Sequence, residues 1–252
     1  MAEKLYGTVL LKAKQILDYL AQTPEAPTLS VLAHHLDISK PTIYKIIQTL
    51  EYCGYVRTIE TGDQKAYRLG TVFLRYAQAV NDSVDIVEIA TPFFKTLRDQ
   101  TAETVNLGIE QDDKIVLLSK MESTHSIKLV SVIGGTMNMY SSAMGKAILA
   151  TYSAPRLADY FQRVHFEKLT PNTIVDQATL RKDLAAIKER GYAIDNVENQ
   201  SGVYCLGFAI VAHHRTYGAF SISTPEFRLT ADKRATFVKL GKRIQKLIQQ
   251  HL

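Results

Sequence analysis

Only two residues, Asp37 and Ile38, separate two amphipathic helices near the start of this chain, and that short turn limits the fold more than any other feature of its sequence. The spacing predicts a helix with Leu29, Leu32, Ala33 and Leu36 on one face, at i, i+3, i+4 and i+7, with Thr28 as its cap. The next helix starts at Ser39-Lys40-Pro41, where Ser39 can cap and Pro41 is tolerated because a first-turn N–H has no partner to lose. Ile43, Ile46, Ile47 and Leu50 form its apolar stripe, and Gly54 ends it. An earlier helix carries Tyr6, Val9, Leu10, Ala13, Leu17 and Leu20 at helical spacing, before the breaker Thr23-Pro24-Glu25-Ala26-Pro27. Two β-like runs, 55–59 and 65–69, then flank Thr61-Gly62-Asp63, a hairpin signal with a glycine turn.

Three helices with a tight turn before the third, followed by a hairpin, describe a winged helix-turn-helix over residues 1–70. In that geometry the third helix enters the major groove of DNA by its N-terminal half. Its outer face holds Pro41, Lys45, Gln48 and Tyr52, flanked by Thr42, Tyr44 and Thr49, rich in hydrogen-bonding groups and poor in acids. Ser39, Lys40, Thr42, Tyr44, Lys45 and Gln48 are the candidate DNA contacts of this helix. Arg57, Lys65, Tyr67 and Arg68 in the hairpin suit phosphate contacts. Tyr52 and Tyr67 are equally open to a structural reading.

Bulk charge does not locate this surface. The net charge is +5, yet residues 1–70 hold eight Lys/Arg against seven Asp/Glu. No apolar run approaches the ~20 residues of a membrane helix, and no signal peptide is expected. Cys53 and Cys205 lie far apart without a CxxC motif, so a reduced cytoplasmic setting is expected.

Residues 71–90 read as a linker helix with a break near Asn81-Asp82-Ser83. Residues 91–252 then alternate: helix 91–101, strands near 103–109, 114–120 and 127–132, and a helix beginning near Ser142. Helices 155–163 and 178–190 follow, the second ended by Gly191, with strands at 192–195, 203–212 and 217–223. A last amphipathic helix over 231–249 has Phe237, Leu240, Ile244, Leu247 and Ile248 on one face. This pattern predicts an α+β layer fold with a mainly antiparallel sheet. No cofactor or metal is expected. Tyr140–Ala147 lacks the first glycine of a P-loop and has alanine after its lysine. His34-His35 and His213-His214 lack zinc spacing and read as a helix pair and a turn pair. A helix starting around Ser141–Gly145 would aim unpaired N–H groups at whatever precedes it, which favours a carboxylate.

These segments resemble the IclR-type regulators. TLSVLAHHLDISKPTIYKIIQTLEYCGYV is similar to that family's helix-turn-helix, and YRLG at 67–70 to its wing end. ETVNLGI (103–109), SSAMGKAILA (141–150), LTPNTI (169–174), RGYAIDNVEN (190–199), GVYCLGFAI (202–210) and SISTP (221–225) follow in the family's order, so the resemblance spans the chain. It implies a GAF-like or PAS-like effector domain, a homodimer or dimer of dimers, double-stranded operator DNA as partner, and a small carboxylate effector. It also implies an effector loop at Ala143 and Met144, acidic and thiol positions at Asp195 and Cys205, and two strand hydroxyls at Ser221 and Ser223. Met144 would narrow that cavity. The sequence departs from the family at Pro41–Lys45, where lysine replaces a bidentate arginine, and at Asp195-Asn196-Val197-Glu198, where an acidic run is diluted.

Each site residue has a plainer reading. Cys205 can be a small buried hydrophobe, Ser221 and Ser223 can bond neighbouring backbone, and Ser141 and Ser142 can cap a helix. The leading reading is a ligand-responsive repressor or dual regulator of a catabolic operon. The alternative is a cysteine-dependent enzyme, with Cys205 as nucleophile and His213 or His214 as base, fused to a DNA-binding module. A third is a structural DNA-associated protein without a ligand.

Overall fold

The computed structural model describes residues 7–61, 64–82, 85–126, 129 and 131–252. The chain divides into two compact units, Met1–Ser83 and Val84–Leu252.

The first unit holds helices α1 (Thr8–Gln22), α2 (Leu29–Leu36) and α3 (Lys40–Tyr52), strands β1 (Val56–Thr61) and β2 (Gln64–Leu69), and helix α4 (Val72–Asp82). The turn between α2 and α3 works because Asp37 adopts a left-handed conformation, φ 51°, which reverses the chain in one residue and lets Ile38 drop into the core. Ile43, Ile46, Ile47 and Leu50 pack with Ile16, Leu20, Leu32 and Val56. Gly54, at φ 75°, closes α3 as Tyr55 N–H donates back to the Leu50 carbonyl, 2.8 Å.

Two details differ from the sequence reading, at α1 and Ser39, one open reading is decided, at Tyr67, and one lies outside the described residues. The face of α1 that packs is set by Ile16 and Leu20, while Val9 and Leu10 are exposed; Tyr6 lies outside the described residues. The Ser39 side chain makes no cap bond, because its hydroxyl meets the Thr42 hydroxyl at 2.8 Å. Tyr67 is a core residue, 5% exposed, and so is withdrawn from phosphate contact. The hairpin pairs Thr61 with Gln64, and the glycine turn read at Gly62-Asp63 lies outside the described residues.

The second unit begins with helix α5 (Asp85–Thr101), six residues earlier than the spacing suggested. Strands β3 (Thr104–Gln111), β4 (Lys114–Met121) and β5 (Thr136–Asn138) precede helices α6 (Ala143–Leu149), α7 (Ala154–Arg163) and α8 (Gln177–Arg190). Strands β6 (Ala193–Asn196), β7 (Val203–Ala212) and β8 (Arg215–Pro225) and helix α9 (Ala231–Gln249) complete it. The strand expected over 127–132 is not seen at Leu129, Ser131 or Val132, and residues 127, 128 and 130 lie outside the described residues; β5 takes the edge position instead.

The six strands run β5-β4-β3-β8-β7-β6, antiparallel throughout. Alternation along the strands gives the sheet two apolar faces. One packs Leu107, Phe208 and Phe220 under α5 and α9, through Phe94, Leu97, Phe237 and Ile244. The other packs Ile115, Leu117 and Ala219 under α6, α7 and α8. Every residue of α6 is buried, and the helix sits directly on β7 at Gly207. A Cβ at Gly207 would lie 2.2 Å from the Ala143 carbonyl oxygen. Gly207→Ala is therefore expected to lift α6 and to cost about 1–3 kcal/mol, as overpacking does. Chemical denaturation tests this; an unchanged midpoint would mean that α6 is free to shift.

Candidate functional site: a polar cavity and an exposed helix face

A cavity of about 290 Å³ opens between the sheet and the start of α6. Register builds its floor. Asn106 on β3 lies opposite Ser221 on β8, Ser223 lies opposite Cys205 on β7, and Cys205 lies opposite Asp195 on β6. These pairings lay a polar band across four strands. Asn106 donates to the Ser223 hydroxyl at 3.3 Å, Ser131 donates to Asn106 at 3.1 Å, and the two β8 hydroxyls lie 3.2 Å apart. Leu117, Leu129, Val132, Met137 and Val203 add apolar walls.

Ser142, Ala143 and Met144 form the roof. Ser142 caps α6 by accepting from Gly145 N–H at 3.1 Å, and its carbonyl takes Lys146 N–H. The Ala143 and Met144 amides are left without an acceptor among the described residues. Ala143, Met144, Asp195, Cys205, Ser221 and Ser223, the six effector candidates, all border this one cavity. No Lys, Arg or His lines it among the described residues.

Asp195 is 2% exposed. One carboxylate oxygen accepts from Glu198 N–H at 2.6 Å and Asn199 N–H at 3.2 Å. Burial, helped by the nearby Glu198 charge, pushes this carboxyl up to about 7, against those backbone donors and Lys146. Burial and the Asp195 carboxylate raise the Cys205 thiol, so it stays protonated. That is the reverse of what a thiolate nucleophile needs. His213 and His214 form the turn at the far end of the β7–β8 hairpin, eight positions along β7, roughly 25 Å away at ~3.3 Å per residue.

The polar cavity residues Asn106, Ser131, Thr136, Asn199 and Gln200 escaped the sequence reading. An asparagine in the middle of an apolar strand is the one signal that could have exposed Asn106. The diluted acidic run also needs correction, because Asn196 and Glu198 face away from the cavity. Glu198 instead binds Lys146, 1% exposed, through both oxygens at 2.6 and 2.8 Å. Lys146 also reaches Asp183 at 2.8 Å, and Arg190 reaches the other Asp183 oxygen at 3.2 Å. The lysine read only as part of a failed P-loop is the centre of a buried ion network.

In the first unit, Lys40, Tyr44, Lys45, Gln48 and Tyr52 are exposed on α3, with Ser39 exposed before it and Thr42 half-buried. Arg57 lies directly across from Arg68 on the hairpin, and both are exposed. Like charges placed opposite each other oppose hairpin stability, which suits a surface that meets an anion. Lys65 lies on the other hairpin face, opposite Glu60, so the three wing cations are not one patch.

Two family models match the chain in order. Residues 9–60 match the model of the IclR helix-turn-helix domain, and residues 78–248 match that of the bacterial transcriptional regulator IclR C-terminal domain. The DNA-binding transcriptional repressor YiaJ of Escherichia coli K12 is 33% identical over 224 residues, covering 87% of this chain and 79% of that protein. The crystal structure of the Thermotoga maritima IclR superposes with a TM-score of 0.84 at 31% identity, over 97% of this chain and 98% of that one. An IclR homologue from Microbacterium hydrocarbonoxydans, crystallised with 4-hydroxybenzoate, shares the fold with a TM-score of 0.77 at 16% identity, over 96% and 98% of the two chains. No helix among the described residues is long and apolar enough to cross a membrane. With both of its units matched in order, the chain belongs to the IclR family, DNA-binding transcriptional regulators rather than enzymes.

Proposed function

We propose that the chain is a cytoplasmic repressor of a catabolic operon. It binds a palindromic operator as a homodimer or dimer of dimers, and a small organic acid in the second unit controls it. The observation that carries this reading is the convergence of the six effector candidates on one cavity with both polar and apolar walls. The repressor name of the YiaJ relative and the 4-hydroxybenzoate held by the Microbacterium homologue support it. Two α3 helices of a dimer would read half-sites about 34 Å apart, one turn of DNA. Asn106, Ser221 and Ser223 would hold the acid's polar end, the Ala143 and Met144 amides would meet its charge, and Met144 with Leu117 would take its apolar part.

Fluorescence anisotropy on DNA from upstream of the chain's own gene, against scrambled DNA over a salt series, tests the reading. Tight native binding at physiological salt supports it. Equal, salt-sensitive binding to both DNAs would sink operator recognition.

Within that assay, Lys45→Ala and Gln48→Ala are expected to weaken operator binding by about 1–3 kcal/mol each, with little effect on scrambled DNA. Arg57→Ala should weaken both DNAs alike and lower the salt slope by about 1. Lys65→Ala should do less, because Glu60 already faces it. Unchanged operator affinity in Lys45→Ala would move the reading face off this side of α3.

A further inference from the structure

The turn after β6 serves two sides. Asp195, Asn199 and Gln200 border the cavity, whereas Glu198, between them, points away and holds Lys146. The reversal is made at Val197, which is 9% exposed and adopts φ 61°. A β-branched residue in the left-handed region is a backbone outlier, and it persists only where its surroundings fix it.

The surroundings that fix it are side chains. On the cavity side, one Asp195 oxygen accepts from Glu198 N–H and Asn199 N–H. On the other side lies the segment LTPNTI, 169–174, between α7 and α8. The Thr170 hydroxyl donates to the Val197 carbonyl at 2.6 Å, and the Thr173 hydroxyl donates to the Glu198 carbonyl at 2.7 Å. Each hydroxyl also accepts a backbone N–H, Thr170 from Asn172 at 3.2 Å and Thr173 from Thr170 at 2.8 Å. Both threonines are buried, 5% and 6% exposed, so loss of either hydroxyl leaves a carbonyl of the turn without its donor.

We propose that Thr170 and Thr173 are positioning residues of the cavity: they clamp Val197 in its left-handed turn and so keep Asp195 and Asn199 on the cavity wall. The inference takes its purpose from the effector reading, yet the clamp has a signature that needs no ligand. Asp195 faces Glu198 on its own loop, Cys205 on β7 and Lys146 on α6, and all three stay in the variants below. A loosened turn lets water reach the Asp195 carboxyl, which then returns toward the ordinary carboxylate range.

Urea unfolding of the full chain and of its Asp195→Asn form, from about pH 4 to pH 7, reads that signature as a stability gap that grows with pH. Thr173→Val keeps the side-chain shape without the hydroxyl and should shrink the gap by at least half; Thr173→Ser should restore it. Glycine enters the left-handed region freely, so Thr173→Val with Val197→Gly should recover more of the gap than Thr173→Val with Val197→Ala. Affinity for 4-hydroxybenzoate at about pH 6 should drop about tenfold in Thr173→Val and return in Thr173→Ser. A Thr173→Val chain weakened equally at every pH, with its gap intact, is what a merely structural threonine gives, and it overturns the proposal. So does equal recovery by glycine and alanine, or an unaltered chain with no gap. If the gap behaves as expected and no form binds the acid, the clamp stands and the effector reading fails.

Discussion

Lys146→Met is expected to destabilise the second unit by about 3–5 kcal/mol, the usual result of removing one member of a buried ion pair. The lysine is 1% exposed, and Glu198, 4% exposed, depends on it for both carboxylate oxygens. Without the ammonium, Glu198 keeps only the Asn196 N–H, 3.1 Å, and a buried carboxylate must either stay charged or take up a proton. Burial already raises the Glu198 carboxyl, and Lys146 is the main group holding it down. The second substitution makes the test specific: Lys146→Met with Glu198→Gln removes both charges and should recover at least half of the loss. Urea denaturation followed by signals from the second unit is the measurement, because a chain of two units need not unfold in one step. A single-variant loss below about 1 kcal/mol would show the network to be redundant with the packing of α6.

This network also shows where sequence reading stops. The helix-turn-helix was legible because its signals are local: a two-residue turn, an apolar stripe on α3 and a glycine stop all lie within 28–54. The last helix was legible for the same reason, since Phe237, Ile244 and Ile248 repeat at helical period and all are buried. Ser221 and Ser223 share a face by the two-residue period of a strand, so their pairing needed no structure. Asn106 did, because its place beside Ser221 depends on β3 pairing with β8, across more than a hundred residues. Lys146 meets Glu198 fifty-two residues away, across two helices and a strand, and no period in the sequence carries that contact. Tyr67 and Val9 show the limit of local pattern from opposite sides. An aromatic beside Arg68 was open to both a phosphate contact and a structural role and packs in the core, and an apolar residue at helical spacing stays exposed. Local pattern gives the element and its period; which face is covered depends on what packs there.

The remaining large effect concerns Asp195 and pH. Its carboxyl has an ordinary value of 3.8 and is pushed up to about 7 in the folded chain. Between those values the unfolded chain loses the proton first, so the folded state binds more protons and stability falls as pH rises. The window runs from about pH 4 to pH 7, and at ~1.4 kcal/mol per pH unit the loss is on the order of 2–4 kcal/mol. Asp195→Asn retains an oxygen for the Glu198 and Asn199 N–H groups and removes the charge. It should match the unaltered chain near pH 4 and exceed its stability above pH 7. The same group sets how an acid would bind. The cavity lining offers no cation among the described residues, so nothing charged offsets the repulsion between a bound carboxylate and ionised Asp195. Bound acid therefore raises this carboxyl further, and binding takes up a proton. The affinity of a monocarboxylate such as 4-hydroxybenzoate should be level below about pH 7 and fall roughly tenfold for each pH unit above it. Asp195→Asn should flatten that profile while keeping the binding. Titration calorimetry in buffers of different ionisation heat reads the proton directly. A flat profile in the unaltered chain, with saturable binding, would mean that the acid sits away from Asp195, whereas no binding of any acid would count against the effector reading itself.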